Sequence, residues 1–170
     1  MQRARLLLMR HAKSSYPQGV PDHERPLSAR GESDAQAAKE WFLGEGAQLI
    51  DAKARVFVSS ALRVQQTWQI VSPALPTVSV QQAPTIYEAA VSTLVNLCAP
   101  SVAEGHDTLL VGHNPGLEQL ADFLGDDDRS VQSWRIREKY PTCAIVVLEF
   151  DDDSWSIDSA RVSSFVIPRG

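Results

Sequence analysis

The chain has little of what disulfide-stapled, metal-binding or membrane-spanning proteins depend on. It carries only two cysteines, Cys98 and Cys143, in 170 residues, and no CxxC spacing joins them. Both stand in apolar neighbourhoods, which favours buried free thiols over a disulfide. The four histidines show neither HxH nor HExxH spacing. The acidic runs Asp126-Asp127-Asp128 and Asp151-Asp152-Asp153 do not continue into an EF-hand pattern, so they read as solvated loops and no metal is expected. Long apolar runs are also missing: the opening stretch reaches only Leu6-Leu7-Leu8-Met9 before Arg10 and His11 interrupt it. That is too short for a signal-peptide core and far short of a membrane span, which predicts a cytoplasmic protein with no membrane partner. Positive charge is in deficit, with 16 Lys+Arg against 21 Asp+Glu and a net charge of -5, so the chain is not built chiefly to neutralise nucleic-acid phosphates. Trp41, Trp68, Trp134 and Trp155 have no basic stripe beside them and read as core or half-buried surface, not as a base-stacking platform.

What remains is an ordinary globular composition, 44% hydrophobic and 22% charged, close to the average for folded domains. There is no repeat, low-complexity stretch or linker, and domains run to roughly 100–200 residues, so residues 1–170 are expected to form one domain. Ala4 to Met9 is a short unbroken apolar run, the mark of a strand buried on both faces in a parallel sheet. Ser28 is a plausible N-cap for a helix to Leu43, with Ala35, Ala38 and Phe42 on one face. Arg55 to Val58 reads as a second strand, followed by a Ser59-Ser60 turn and cap into a helix that stops before Pro73. Thr77 to Val80 reads as a third, short strand, and Val91 to Leu97 as a weak helix ended by Pro100. Thr108 to Val111 is the next buried strand. Gly112-His113-Asn114-Pro115 then turns into a helix whose Leu117, Leu120, Ala121 and Leu124 form a core stripe, with Pro115 early in it. Thr142 to Phe150 and Ser154 to Val162 would close the chain as an antiparallel hairpin. The order of elements is that of an α/β protein.

Ligands of open α/β sheets bind beyond the carboxyl ends of the strands. Arg10, His11, Arg63 and His113 all follow a predicted strand, at three separate junctions that one fold could bring together. Taken singly, Arg10-His11 is a solvated strand end and His113 a turn histidine. Together they place two guanidiniums beside two imidazoles, one guanidinium at a helix start. Arginine forks match phosphate oxygens, and a helix N-terminus adds N–H donors and a favourable dipole. A phosphoryl group satisfies all three, and the glycine before His113 would permit close approach of backbone to ligand. His23 and His106 lack such context and read as surface histidines; Lys13 and Ser14 read as exposed loop residues.

Four segments carry a family resemblance: Leu-Met-Arg10-His11-Ala-Lys-Ser; Asp22-His23-Glu24-Arg25-Pro26-Leu27-Ser28 with Gly31; Ser59-Ser60-Ala61-Leu62-Arg63 with Thr67; and Val111-Gly112-His113-Asn114-Pro115-Gly116. Their order across almost the whole chain resembles the histidine phosphatase superfamily, also called phosphoglycerate-mutase-like. The length, the Arg-Pro-Leu-Ser segment and the Gly-His-Asn-Pro turn are most similar to its SixA-type phosphohistidine phosphatases. The resemblance implies a three-layer α/β/α sandwich with a mostly parallel sheet. It also implies that His11 is the nucleophile, that Arg10, Arg63 and His113 clamp the phosphoryl oxygens, and that Arg25 reaches the phosphate as a third arginine. Glu88 sits where many members carry the acid that protonates a leaving oxygen. Such an enzyme needs no metal or organic cofactor. The implied substrate is a protein phosphohistidine; a small phosphate ester or nucleotide is the alternative, and a non-catalytic phosphate-binding module a further one. A mutase would need cover that this short chain lacks. Ala12 replaces the glycine most members carry after the nucleophile, so the loop must accommodate a Cβ.

Overall fold

The computed structural model describes residues 4–76, 78–125, 130–150 and 160–170. Leu6, Leu7, Leu8 and Met9 of β1 (Arg5–Arg10) have no solvent exposure, because β1 is interior to the sheet and helices cover both faces. Along the chain follow α1 (Ala29–Leu43), β2 (Arg55–Val58), α2 (Leu62–Val71), β3 (Ser79–Gln82), α3 (Val91–Ala103), β4 (Thr108–Gly112), α4 (Gly116–Leu124), α5 (Val131–Glu138), β5 (Ile145–Phe150) and β6 (Ala160–Val166). The strands form one six-stranded sheet in the order β3-β2-β4-β1-β5-β6. The first four in that order run parallel, β5 is antiparallel to β1, and β6 is antiparallel to β5.

Alternation along the strands divides the interior into two cores. Leu7, Met9, Val56, Val58, Leu109 and Val111 pack with Ala35, Ala38 and Phe42 of α1 and Val64 of α2. Leu6, Leu8 and Leu110 pack instead with Leu94 and Cys98 of α3, the Leu117, Leu120, Ala121 and Leu124 stripe of α4, and Ile136 of α5. The result is the expected α/β/α sandwich, with an antiparallel strand pair at its C-terminal side. Both cysteines are free and buried, and burial pushes each thiol up to about 12. Trp41 and Trp68 are half-buried, while Trp134 is exposed. Among the described residues, no helix is long and apolar enough to cross a membrane.

Several local expectations differ from the fold. α3 does not stop before Pro100 but continues to Ala103 with the proline inside it. A proline in a helix interior costs about 3 kcal/mol, whereas fully burying an apolar side chain contributes roughly 1.5–3 kcal/mol. Leu94, Cys98 and Val102 are all buried on the inner face of α3, which outweighs the lost bond. The third strand lies two residues later than expected, at Ser79–Gln82, and the last runs over Ala160–Val166, set by pairing of Ile145 with Val166. α5 is an addition: only Ser133 and Ile136 are buried in it, so no apolar stripe announces it, although Ser130 caps it by accepting from the Ser133 N–H. Thr77, Ser154 to Ser159, Trp155 and both acidic runs lie outside the described residues.

The cap of α1 ties the fold to the loop after β1. Ser28 Oγ accepts from the Gly31 N–H at 3.1 Å and donates to the Lys13 carbonyl at 3.0 Å. A Cβ on Gly31 would stand 2.0 Å from that carbonyl oxygen, so only glycine lets helix and loop approach this closely. Gly31→Ala is expected to cost about 1–3 kcal/mol through forced displacement, lowering Tm by roughly 3–10 °C and reducing turnover. An unchanged melting curve would contradict this.

Candidate active site

Parallel register brings three strand ends to one level. Arg10 pairs with Gly112 and Val58 with Val111, so His11, Ser59 and His113 leave the sheet side by side. His11 is pinned by its backbone: its N–H donates to the Gly112 carbonyl and its carbonyl accepts from the Cys143 N–H, each at 3.0 Å. Arg63, in the first turn of α2, is buried beneath the same opening. Arg10, His11, Arg25, Arg63, Glu88 and His113, all singled out from the sequence, line one cavity of roughly 460 Å³.

The hydrogen bonds of His11 assign its tautomer. Nδ1 lies 2.7 Å from the Ala12 carbonyl oxygen, which can only accept, so Nδ1 carries the proton and Nε2 presents a lone pair. Arg63 Nε donates to that lone pair at 3.3 Å. Burial, followed by the charges of His113, Arg63 and Arg10, pushes the His11 pKa down to about 3, against the opposing pull of the Ala12 carbonyl. His113 is held the other way round. Its Nδ1 accepts from Arg63 Nη2 at 3.4 Å, and its Nε2 donates to Ser59 Oγ at 2.7 Å. Burial and then Arg63 lower its pKa to about 4, with Asp22 opposing. The two rings meet edge to face at 5.4 Å.

Arg10 donates from Nη1 to the Tyr140 carbonyl at 2.8 Å, while its buried Nε has no partner among the described residues. Burial lowers its pKa. The Tyr140 carbonyl is itself held by Asn114 Nδ2 at 3.0 Å, and the tyrosine hydroxyl donates to the Leu8 carbonyl at 2.6 Å. Two guanidiniums and two neutral imidazoles therefore surround a space open to an anion. Such a set can bind a tetrahedral oxyanion while offering it one unprotonated nitrogen.

Residues 6–108 match the model of the histidine phosphatase superfamily, branch 1. The chain belongs to that superfamily. It is a phosphatase with the phosphoglycerate-mutase-like fold. An uncharacterized protein of Mycobacterium tuberculosis is 39% identical over 167 residues, covering 95% of this chain and 100% of that one. Among solved structures, a chain described as a phosphohistidine phosphatase SixA from Nakamurella multipartitia superposes with a TM-score of 0.80 at 24% identity, over 99% of this chain and 98% of that one. A protein histidine phosphatase SixA complexed with tungstate gives 0.74 at 22% identity, over 96% and 97%.

Within this histidine phosphatase, Arg25 and Glu88 stand at the rim. Arg25 donates from Nη1 to Ser14 Oγ at 2.9 Å and lies 4.0 Å over the ring of Tyr16. Ser14 is thus a buried partner of Arg25, in contrast to the exposed loop residue expected from sequence; Lys13 is exposed. Glu88 lines the cavity with a left-handed φ of 55°. His23 is not a free surface histidine: it is half-buried, with Nε2 2.8 Å from Ser60 Oγ and its ring against Tyr87. His106 lies away from the cavity, 3.6 Å from Glu104. Gly112 admits protein in place of ligand, since a Cβ there would meet Ile86 Cγ2 at 2.8 Å. Ser59 bonds His113 while Ala61 is the N-cap of α2, so no serine side chain caps that helix in the usual way.

Tyr87 and Tyr140 carry no chemical signal in the sequence that sets them apart, and Asp22 and Ser59 stand in recognised segments without a role of their own. Thr67 did stand in a recognised segment, and its role is now visible: Oγ1 donates to the Arg63 carbonyl at 2.7 Å and accepts from the Ala12 N–H at 3.0 Å. Ala12 is fully buried, so the loop accommodates its Cβ.

Both cavity imidazoles are expected to stay neutral at pH 5 in the free protein, His11 with its proton on Nδ1 and His113 with its proton on Nε2. Nitrogen-15 NMR of the side chains reads this directly, and a charged His11 at pH 5 would contradict it. The unfolded chain binds protons from its ordinary imidazole pKa of about 6.5 downward, which the folded state refuses until the lowered values are reached. Stability therefore rises with pH between about 4 and 6.5, and His11→Asn should flatten that rise in denaturant titrations.

Proposed function

We propose that this phosphatase works through a covalent phosphohistidine on His11 and that its substrate is a phosphohistidine on a protein. The observation that carries the reading is the fixed tautomer of His11, whose Nε2 lone pair opens onto the arginine-lined cavity. In the first step, Nε2 forms a bond to phosphorus as the bond to the substrate nitrogen breaks, and that nitrogen leaves with the electron pair. The phosphorylated ring gains positive charge, which strengthens the Nδ1–H bond to the Ala12 carbonyl. In the second step, water attacks phosphorus, the P–Nε2 bond breaks, and inorganic phosphate departs. Arg10, Arg63 and His113 stabilise the transferred group by placement and charge, which is most of what phosphoryl transfer requires. Arg25 at the rim would contact the phosphate from the loop side.

The substrate follows from chemistry and from likeness. An imidazole leaves phosphorus more readily than an alkoxide, and a SixA chain with a similar fold is named a protein histidine phosphatase. Between β2 and β4 the chain supplies Arg63 and the short stretch Ile86 to Ala89 to the cavity, which suits a protein surface. A small phosphate ester is the second reading, favoured by Glu88 at the cavity wall as an acid for an alkoxide. The single six-stranded sheet supports one domain across residues 1–170, and two free thiols suit the reducing cytoplasm.

His11→Ala is expected to abolish turnover, and Arg63→Ala to weaken both phosphate binding and rate. Brief incubation with a labelled phosphodonor should leave label that survives base and is lost in acid. Faster turnover of esters than of a phosphohistidine protein would overturn the favoured substrate. Glu88→Gln should slow alkyl phosphates more than phosphohistidine; equal losses would remove its role as acid.

A further inference from the structure

The guanidinium of Arg63 has two donor forks, and each is used differently. The Nε–Nη2 fork faces the imidazoles of His11 and His113 at 3.3 and 3.4 Å, where a phosphoryl group would sit. The outer Nη1–Nη2 fork is gripped by Asp22, which accepts from Nη1 through its backbone carbonyl at 2.7 Å and from Nη2 through Oδ2 at 3.2 Å. The same carboxylate accepts from Arg25 Nε on Oδ1 at 3.0 Å and from the Tyr87 hydroxyl on Oδ2 at 2.6 Å.

We infer that Asp22 is a positioning residue for phosphoryl transfer: by holding Arg63 Nη2 and Arg25 Nε on one carboxylate, beside the backbone bond to Arg63 Nη1, it sets how both guanidiniums meet the phosphoryl oxygens. An arginine held along one edge is pre-oriented along the other, and misplacing a group by about 1 Å can cost on the order of 100-fold in rate. Tyr87, and then the arginines, hold the carboxyl of the exposed Asp22 down to about 2 against some desolvation, so the grip is ionised at working pH. Removing a bare negative charge near an anion site would by itself tighten phosphate binding. A positioning role predicts the reverse pattern, a loss confined to the transition state. The inference rests on the reading of His11 and Arg63 above.

The test uses the full chain with Asp22→Ala and Asp22→Asn, whose amide offers one acceptor and so satisfies only one arginine. With an aryl phosphate, kcat should fall roughly 10–100-fold while KM moves less than about threefold. The inhibition constant of orthovanadate should rise in step with the loss in kcat, and that of inorganic phosphate should barely change. A kcat within about twofold of the parent, a loss wholly in KM, or tighter phosphate binding at retained kcat would each overturn the role. Should neither variant fold, Tyr87→Phe removes only the hydroxyl bracing Oδ2. A several-fold drop in its kcat at constant KM supports the inference, and an unchanged kcat overturns it. His11→Ala run alongside separates the two claims: retained turnover there sinks the reading of the site, whereas a dead His11→Ala beside a fully active Asp22→Ala sinks only the role of Asp22.

Discussion

The buried guanidinium of Arg63 is the point on which the active site converges. Its donors reach His11, Asp22 and His113, residues delivered by the β1–α1 and β4–α4 connections, far apart in the chain. A buried guanidinium is tolerated only when its donors are satisfied, so each of these loops must fold correctly for the others to be in place. Thr67 extends the dependence, because one hydroxyl joins the Arg63 carbonyl to the backbone beside His11. His11 and Arg63 are therefore locked to each other through the first turns of α2.

The electrostatics of the site follow from the same packing. Buried imidazoles next to arginines stay neutral, because both desolvation and like charge disfavour the protonated ring. That neutrality is what a nitrogen nucleophile needs, and it arises here from burial together with a backbone carbonyl that claims the other ring nitrogen. Positive charge on the guanidiniums is balanced at one side by Asp22. At the other side, Arg10 is held by the Tyr140 carbonyl. A net-negative chain can thus bind an anion, because local placement outweighs overall charge at distances shorter than the screening length of about 8–10 Å.

Much of this architecture was legible in the residues. The runs Leu6-Leu7-Leu8-Met9 and Arg55 to Val58 identified strands buried on both faces, and the four-residue stripe of α4 identified its inner side, since burial periodicity is a local property of sequence. α5 carries no such mark because it buries almost nothing, and the sequence predicts too short an α3 because proline propensity is local whereas the burial that overrides it is not. The candidate residues Arg10, His11, Arg63 and His113 were found because a strand end followed by a functional side chain is itself a sequence pattern. Arg25 and Glu88 were found only by resemblance, and the structure sets both at the cavity wall.

The amino-acid order alone determined the strands, the helix faces and the chemical identity of the clamp, because those depend on spacing and residue type within a few turns of chain. Only the tertiary structure decided which nitrogen of His11 carries the proton, that Asp22 grips the outer edge of Arg63, and that Gly112 admits Ile86. The last two are contacts between segments tens of residues apart, while the first depends on the backbone conformation that turns the Ala12 carbonyl onto the ring before it. Hydrogen-bond direction and steric fit depend on distances and angles across the fold, and the linear order of residues does not encode them locally.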